Sequence, residues 1–518
     1  MTNDIQILWA DDEIDLLRPQ LLFLEKKGYQ VITVTNGHDA VEELAENSDI
    51  NCVFLDESMP GITGLETLSK IREINKNVPV VMITKNEAES LMDEAIGSEI
   101  ADFLLKPVNP NQILLTLKKI IDNQRLVREK TVTDYQQEFR SILMEINGRL
   151  DYKEWVQIYR KIIDWELKLS KSQSDQMQDI LTMQKSEANS EFSKFIDRHY
   201  LDWMDGIDAP IMSSSLIREK LIPNLNDRPT IFLLLDNLRY DQWAILEPIF
   251  NEAFKIESEE YFYSILPTAT QYSRNAIFAG MMPAEIEKKY PNFWKNDNEE
   301  GGKNQHEAEF LEGLLKRYMH KDIKHEYVKV SNAYQASEME GKAMNFLNND
   351  LTVIVYNFID MMSHARTEME MLKGLASDER AYRSITKSWF LHSPLWSALQ
   401  KLAEHDINLF VTTDHGTIRV KQPSKVIGDR ETTTNLRYKV GKNLKYDSRD
   451  VLEVKNPQEA HLPRPNVSST FIFAKEDHFF LYPNNYNYYN NYYKNTFQHG
   501  GISLEEMICP FIHLKSRS

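Results

Sequence analysis

Cysteine is scarce: Cys52 and Cys509 are the only two in 518 residues, and each lies inside an apolar run. That excludes a disulfide framework and a thiolate metal site, and it suits a reducing compartment. No apolar run exceeds the five residues 231–235, far below the roughly 20 a membrane-spanning helix needs. The N-terminus lacks a basic stretch leading into an apolar core, so no secretory leader is expected and the cytoplasm is the expected location. Positive charge is in deficit too, 60 Lys+Arg against 78 Asp+Glu, a net charge of −18. Of that, −12 falls within residues 1–122. With no basic arm, binding to DNA by phosphate neutralisation is not expected. A small anionic substrate at a metal site stays open, because local charge decides that.

What is present suffices for about three domains at roughly 100–200 residues each. Hydrophobic residues make up 42% of the chain and charged residues 27%, a globular composition. In residues 1–122, short apolar runs at 5–10, 31–34, 52–55, 80–83 and 103–105 alternate with amphipathic stretches of helical length. Five such repeats predict a doubly wound parallel sheet, which binds ligands beyond the carboxyl ends of its strands. Residues 123–206 hold no proline and only one glycine before Gly206, and their apolar residues recur at helical spacing. They predict a helical bundle or stalk of three helices, with Trp155 and Tyr159 in its core. Residues 207–227, with two prolines and Ser213-Ser214-Ser215, read as a linker. Residues 228–518 return to an α/β pattern. Strands at 230–235, 352–358 and 408–411 are each followed by an acidic residue, and helices are predicted at 308–319 and 388–402. Residues 482–493, six Tyr and five Asn in twelve, predict a polar surface loop, with a binding lid as the alternative.

In the first domain Asp11 and Asp12 follow the first strand and Asp56 ends the third. Thr84 ends the fourth, and Lys106 follows the fifth, just before Pro107. Three carboxylates, a hydroxyl and an ammonium at one rim suit Mg²⁺ and acceptance of a phosphoryl group. This ordered set, continuing as Asp56-Glu57-Ser58-Met59-Pro60-Gly61, resembles the receiver domain of two-component response regulators, which has a flavodoxin-like fold. The resemblance implies Asp56 as phosphoacceptor, with Mg²⁺ held by Asp11, Asp12, Asp56 and the Ser58 carbonyl. It also implies Thr84 and Phe103 as switch pair, Lys106 as phosphate contact, and a sensor histidine kinase as partner. Phosphorylation is expected to produce a homodimer through the face formed by residues 101–121.

In the last domain, four segments carry Asp or His: Leu235-Asp236-Asn237, Asp360-Met361-Met362-Ser363-His364, Thr413-Asp414-His415-Gly416 and Gln498-His499-Gly500-Gly501. Three Asp and three His suit zinc, and Asp360 and His364, four apart, share a helix face. Leu266-Pro267-Thr268-Ala269-Thr270 leads into a predicted helix, where a hydroxyl can act as nucleophile beside free N–H groups. These parts suit two-metal phosphoryl or sulfuryl transfer.

Their order resembles the alkaline phosphatase superfamily, and its PglZ branch over 228–515. Leu235-Asp236-Asn237-Leu238-Arg239-Tyr240 and His499-Gly500-Gly501-Ile502-Ser503-Leu504-Glu505-Glu506-Met507 carry the PglZ likeness. The resemblance implies an alkaline phosphatase-like α/β domain with two zinc ions. One would be held by Asp236, Thr270, Asp414 and His415, the other by Asp360, His364 and His499. Thr270 is the implied nucleophile, preferred to Thr268 because it lies closer to the helix start. A third metal cluster and a phosphate-gripping arginine are not assignable, with Arg239 and Arg274 the candidates, which favours diesters. Receiver, helical middle and PglZ-like domain in one chain are similar to the PorX-type response regulators of Bacteroidetes, tied to type IX secretion and gliding motility. The expected function is a response regulator with a zinc-dependent phosphodiesterase output acting on cyclic or short linear nucleotides. The alternative is a non-catalytic adaptor with zinc as structure. Partners implied by the family are type IX secretion-system components and a sigma factor.

Overall fold

A computed structural model describes all residues except 1–4, 48, 76, 86–99, 172–174, 226–227, 320–321, 369–377, 430–431 and 518. Side chains at 121–129, 175–176 and 364–368 are likewise outside the described set. The chain divides into two units, Met1–Gln136 and Gln137–Ser518.

In the first unit, five strands form a wholly parallel sheet: β1 Ile5–Ala10, β2 Tyr29–Val34, β3 Ile50–Asp56, β4 Val80–Thr84 and β5 Asp102–Leu105. Their order is β2-β1-β3-β4-β5, the doubly wound arrangement the alternation predicts. Two buried apolar clusters line it, one including Trp9, Phe54 and Ile113, the other Leu8, Leu55 and Leu68. Parallel strands buried on both sides need apolar residues at every position, which explains the unbroken runs. Helices α1 Arg18–Lys26, α2 Gly37–Glu46 and α3 Gly64–Ile74 alternate with the strands. The Thr63/Glu66 capping box starts α3, satisfying two backbone donors directly after the Asp56 loop.

A 37-residue helix, α4, runs Pro110–Ile146; from Gln137 onward it counts with the second unit. Two more helices follow, α5 Tyr152–Lys171 and α6 Asp175–Met204. Trp155, Tyr159, Phe192, Ile196 and Tyr200 are buried on them. The stripe that predicts a core is therefore core. Of the linker expected at 207–227, residues 207–225 are described, and Met212, Ser213, Leu216, Ile217 and Leu221 among them are buried.

The main sheet of the second unit has six strands: β6 Thr230–Leu235, β7 Phe254–Tyr263, β8 His325–Val330, β9 Leu351–Tyr356, β10 Asn408–Thr412 and β11 Ile508–Ser516. Their order is β7-β11-β10-β6-β9-β8. The four from β10 to β8 are parallel, whereas β11 runs antiparallel to both β10 and β7. The sheet is thus mixed. Helices α7 Tyr240–Ala253, α8 Thr270–Ala279, α9 Phe358–Glu368 and α10 Glu379–Leu391 carry or support the site.

Two local expectations need correction. The helix predicted at 388–402 is two, Glu379–Leu391 and Pro394–Ala403. The break falls where Ser393 accepts from Trp396 N and Pro394 takes the first helical position, a strong start signal. Residues 482–493 are not all loop, because Tyr486–Tyr493 is helical. There Tyr488 stacks on Tyr492 and Tyr489 on Tyr493; the i,i+4 spacing of a helix aligns such rings.

A smaller three-stranded sheet contains Tyr438–Gly441, Val451–Val454 and Thr470–Ala474. Lys439 lies on its first strand with 1% of its surface exposed. Its Nζ donates to the Thr433 carbonyl at 2.9 Å and stands 4.5 Å from the Tyr482 ring centre. Burial pulls its ammonium down from an ordinary 10.5 to about 7. Between about pH 7 and 10.5 the unfolded chain holds this proton and the folded chain does not, so stability rises with pH across that window. Below it, both states are charged and the full burial cost remains. Lys439→Met should raise stability at pH 6 by ~2–4 kcal/mol and flatten the rise above pH 7. Urea unfolding at pH 6 and 9 checks this; equal pH slopes in wild type and variant would contradict it.

Candidate functional site

In the first unit, parallel strands end together, so β1, β3 and β5 deliver their polar residues to one rim. Lys106 Nζ lies 2.9 Å from Asp11 Oδ2 and 2.9 Å from Asp56 Oδ2. Asp11, Asp12 and Asp56 each offer an oxygen within 4.8 Å of the others, and Asp11 and Asp56 are buried. Burial pushes the Asp56 carboxyl up, Lys106 opposes that, and Asp11 adds to it. Burial acts to lower the Lys106 ammonium, but its hydrogen bonds to Asp11 and Asp56 outweigh it and raise the group. Such a rim fits a divalent cation with oxygen ligands. Thr84 ends β4 opposite Leu105. Phe103 on β5 is 37% exposed, and Ser58 is exposed in the loop after Asp56.

In the second unit, β9, β6 and β10 are adjacent and in register, Leu235 opposite Tyr356 and Leu234 opposite Thr412. Asp236, Asp360 in the first turn of α9, and Asp414 consequently leave the sheet at the same rim. Asp236, Asp414 and His415 are all buried, with one ligand atom each within 4.8 Å. Among the described residues, buried Asp236 Oδ1 has no hydrogen-bond partner. An orphaned carboxylate oxygen beside a second carboxylate and an imidazole fits a cation. Burial pushes Asp236 well above the usual carboxylate range, against the pull of Arg274. Burial acts the same way on Asp414, but the His415 ring and the Arg274 guanidinium hold it below its usual value.

Thr270 opens α8, and its Oγ1 is 3.0 Å from His415 Nε2. His415 Nδ1 faces the Gly416 carbonyl at 3.0 Å. A carbonyl only accepts, so Nδ1 carries the hydrogen, and Nε2 is the ring atom that faces the hydroxyl. His499 is arranged alike, with Nδ1 3.2 Å from the Thr268 carbonyl and Nε2 3.8 Å from Asp360 Oδ1. The two imidazoles stack with centres 4.3 Å apart. Thr268 has a different occupation: its Oγ1 donates to the Gly501 carbonyl and accepts from Gly500 N. Gly416 has no room for a side chain, since a Cβ there would lie 1.9 Å from the Glu505 carbonyl.

Six of the seven implied zinc ligands, Asp236, Thr270, Asp360, Asp414, His415 and His499, gather in this region. The seventh, His364, has a side chain outside the described residues. Sequence reasoning missed the buried charge network behind them. Arg274, one turn after Thr270, lies 3.0 Å from Asp236, 2.9 Å from Glu307 and 3.6 Å from Asp414. Lys329 pairs with Glu307 at 2.6 Å. Asn237 Nδ2 donates to Asp360 and its backbone N–H to Asp414. The available signal was the four-residue step from Thr270 to Arg274, which puts both on one helix face. Arg239 lies apart from this network. It is buried against Asp241 and Glu379.

Sheet and rim define a response-regulator receiver joined in one chain to an alkaline phosphatase-like domain. The family model of the response regulator receiver domain matches residues 7–118, and that of the PorX response regulator linker domain matches 125–204. The BREX system PglZ alkaline phosphatase-like domain matches 216–514. The chain therefore belongs to the PglZ family, and these three matches together are those of a PorX-type regulator. Among curated proteins, the transcriptional regulatory protein SrrA of Staphylococcus aureus is 29% identical over 143 residues, covering 28% of this chain and 56% of SrrA. The chain thus spans about half the length of the curated relatives it matches. Similar solved structures include a CheY-like receiver protein from Methanospirillum hungatei JF-1, 23% identical, covering 23% of this chain and 96% of that one, TM-score 0.23. Another is CheY4 of Vibrio cholerae, 26% identical, covering 22% and 98%, TM-score 0.22. Among the described residues, no helix is long and apolar enough to cross a membrane.

Proposed function

We propose that the second unit is a zinc-dependent phosphodiesterase acting on cyclic or short linear nucleotides, under control of a receiver phosphorylated on Asp56. The observation that carries the hydrolytic reading is the Thr270 hydroxyl, 3.0 Å from His415 Nε2 at the start of a ten-residue helix. Asp236, Thr270, Asp414 and His415 are the ligands proposed for one zinc, and Asp360, His364 and His499 for the other. Bound zinc supplies Lewis-acid polarisation of a phosphoryl oxygen. The chain's own groups do the rest. The first N–H groups of α8 receive phosphate oxygens. Thr270 Oγ1 attacks phosphorus as the bond to one ester oxygen breaks, the hydroxyl proton leaving with that alcohol, after which water hydrolyses the phosphothreonine. Diesters suit the site better than monoesters because Arg274 and Arg239 are both committed to buried carboxylates.

In the receiver, Asp11, Asp12, Asp56 and the Ser58 carbonyl are the proposed Mg²⁺ ligands, and Lys106 is the phosphate contact. Thr84 and Phe103 are the proposed switch pair, and a homodimer is the proposed phosphorylated state. A receiver implies a sensor kinase. The PorX-type arrangement supports a role in type IX secretion and gliding, with secretion components or a sigma factor as further partners.

The test is metal analysis of the purified full chain, together with hydrolysis of bis-p-nitrophenyl phosphate and a panel of dinucleotides. About two zinc ions per chain with diester turnover that a chelator removes is the expected result. Zinc without turnover would leave the domain an adaptor.

A further inference from the structure

The segment matched as a linker domain makes buried polar contacts with the same unit's site-bearing loops. Tyr200, 1% exposed on α6, accepts a hydrogen bond at its hydroxyl oxygen from the backbone N–H of Leu266 at 2.7 Å. Leu266 lies four residues before Thr270, and no strand or helix fixes the stretch between. Asn189, also buried on α6, accepts from Leu504 N at 2.8 Å and donates to Glu505 Oε2 at 3.0 Å. Lys185 reaches Glu505 at 3.0 Å and Glu166 of α5 at 3.3 Å. The Glu505 carbonyl occupies the space a Cβ on Gly416 would need, directly after His415. Glu506 accepts from Gly501 N at 2.9 Å, which ties the same short helix back to the loop of His499. On the third side, Glu166 pairs with Arg383. Arg383 in turn reaches Asp241 at 3.0 Å, five residues after Asp236.

We infer that the helical middle is a positioning element of the hydrolytic site, with Tyr200 seating the Thr270 loop and Asn189 and Lys185 seating the Glu505 segment behind His415. The inference rests on the phosphodiesterase reading and deepens it. None of these side chains reaches the reacting atoms; they act through backbone they hold. Buried backbone groups need partners. The Leu266 N–H and the Leu504 N–H each take theirs from α6, so a shift of that helix is felt on both sides of the site. Misplacement by about 1 Å of a group remote from the chemistry can cost about 100-fold in rate. A shift of the helical middle is thus a way to change turnover without touching a ligand.

The experiment uses the full chain with Tyr200→Phe, which removes one oxygen and keeps the ring packed on Trp203, and separately Asn189→Ala. Expected for each is a fall of roughly 10- to 100-fold in kcat for bis-p-nitrophenyl phosphate, with KM within about twofold and zinc content unchanged. Hydrogen exchange read by mass spectrometry should rise over 264–271 in Tyr200→Phe and over 499–507 in Asn189→Ala. Exchange does not depend on activity. If the wild type hydrolyses nothing, the phosphodiesterase reading fails, and the exchange pattern alone decides the positioning claim. Wild-type kcat with unchanged exchange in both variants would overturn it, as would a loss of zinc or of the whole fold in step with the loss of rate.

Discussion

Thr270→Ala should reduce diester turnover by about 1,000-fold or more while zinc content and the thermal transition remain close to wild type. Thr270 opens α8, where its backbone is already helical, and alanine suits that conformation at least as well as threonine. Among the described residues the hydroxyl's side-chain hydrogen-bond partner is His415 Nε2, and His415 keeps its Nδ1 bond to the Gly416 carbonyl when the hydroxyl is gone. The change therefore removes the attacking atom, which is also one of four proposed ligands of one zinc, and leaves Asp236, Asp414 and His415 to hold the metal. Thr268→Ala makes the contrast. It strips the oxygen that joins Gly500 N and the Gly501 carbonyl, so it should lower stability by about 1–3 kcal/mol and loosen the His499 loop. Steady-state kinetics, metal analysis and melting of the two variants separate nucleophile from tie. Full activity in Thr270→Ala would remove Thr270 as nucleophile.

The strands and their terminal acidic residues were legible because a buried parallel sheet demands long apolar runs. Adjacent ends then bring Asp236, Asp360 and Asp414 together whatever happens between them. The same rule exposed Asp11, Asp56 and Lys106. The charge network was not legible, because Arg274, Glu307 and Lys329 sit on three separate elements and nothing local marks them as neighbours. The role of residues 185–200 was hidden for another reason. Tyr200 and Asn189 read as ordinary positions in an amphipathic helix, and only the fold reveals that Leu266 and Leu504 reach them. Residues 207–227 look like a tether by their prolines and serines, yet Leu216 and Leu221 are fully buried. Composition reports local stiffness, and burial depends on where the neighbours are.

Arg274→Met should destabilise the metal-free chain by about 3–5 kcal/mol at pH 8, more than any surface charge change in the same unit. The guanidinium is 2% exposed and faces three carboxylates, Asp236, Glu307 and Asp414, and the Asn357 amide oxygen. Methionine fills much of the volume but returns no charge. Glu307 retains Lys329, while Asp236 and Asp414 lose the cation that opposes their burial. The Asp236 value, already above its unfolded one, then rises further, and the Asp414 value, held below its unfolded one, loses part of what lowers it. A carboxyl raised in the folded state costs stability as pH climbs through the window between the two values. The gap between variant and wild type should accordingly be small near pH 5 and widest near pH 8. Zinc should narrow it, because a divalent cation among Asp236, Asp414 and His415 restores the missing positive charge. Arg274→Lys, which keeps the charge without the planar fork, should fall between the two. Urea unfolding of chelated and zinc-loaded protein at pH 5 and 8 measures all four quantities. A metal-free variant as stable as wild type at pH 8 would show that Arg274 is not what holds these carboxylates together.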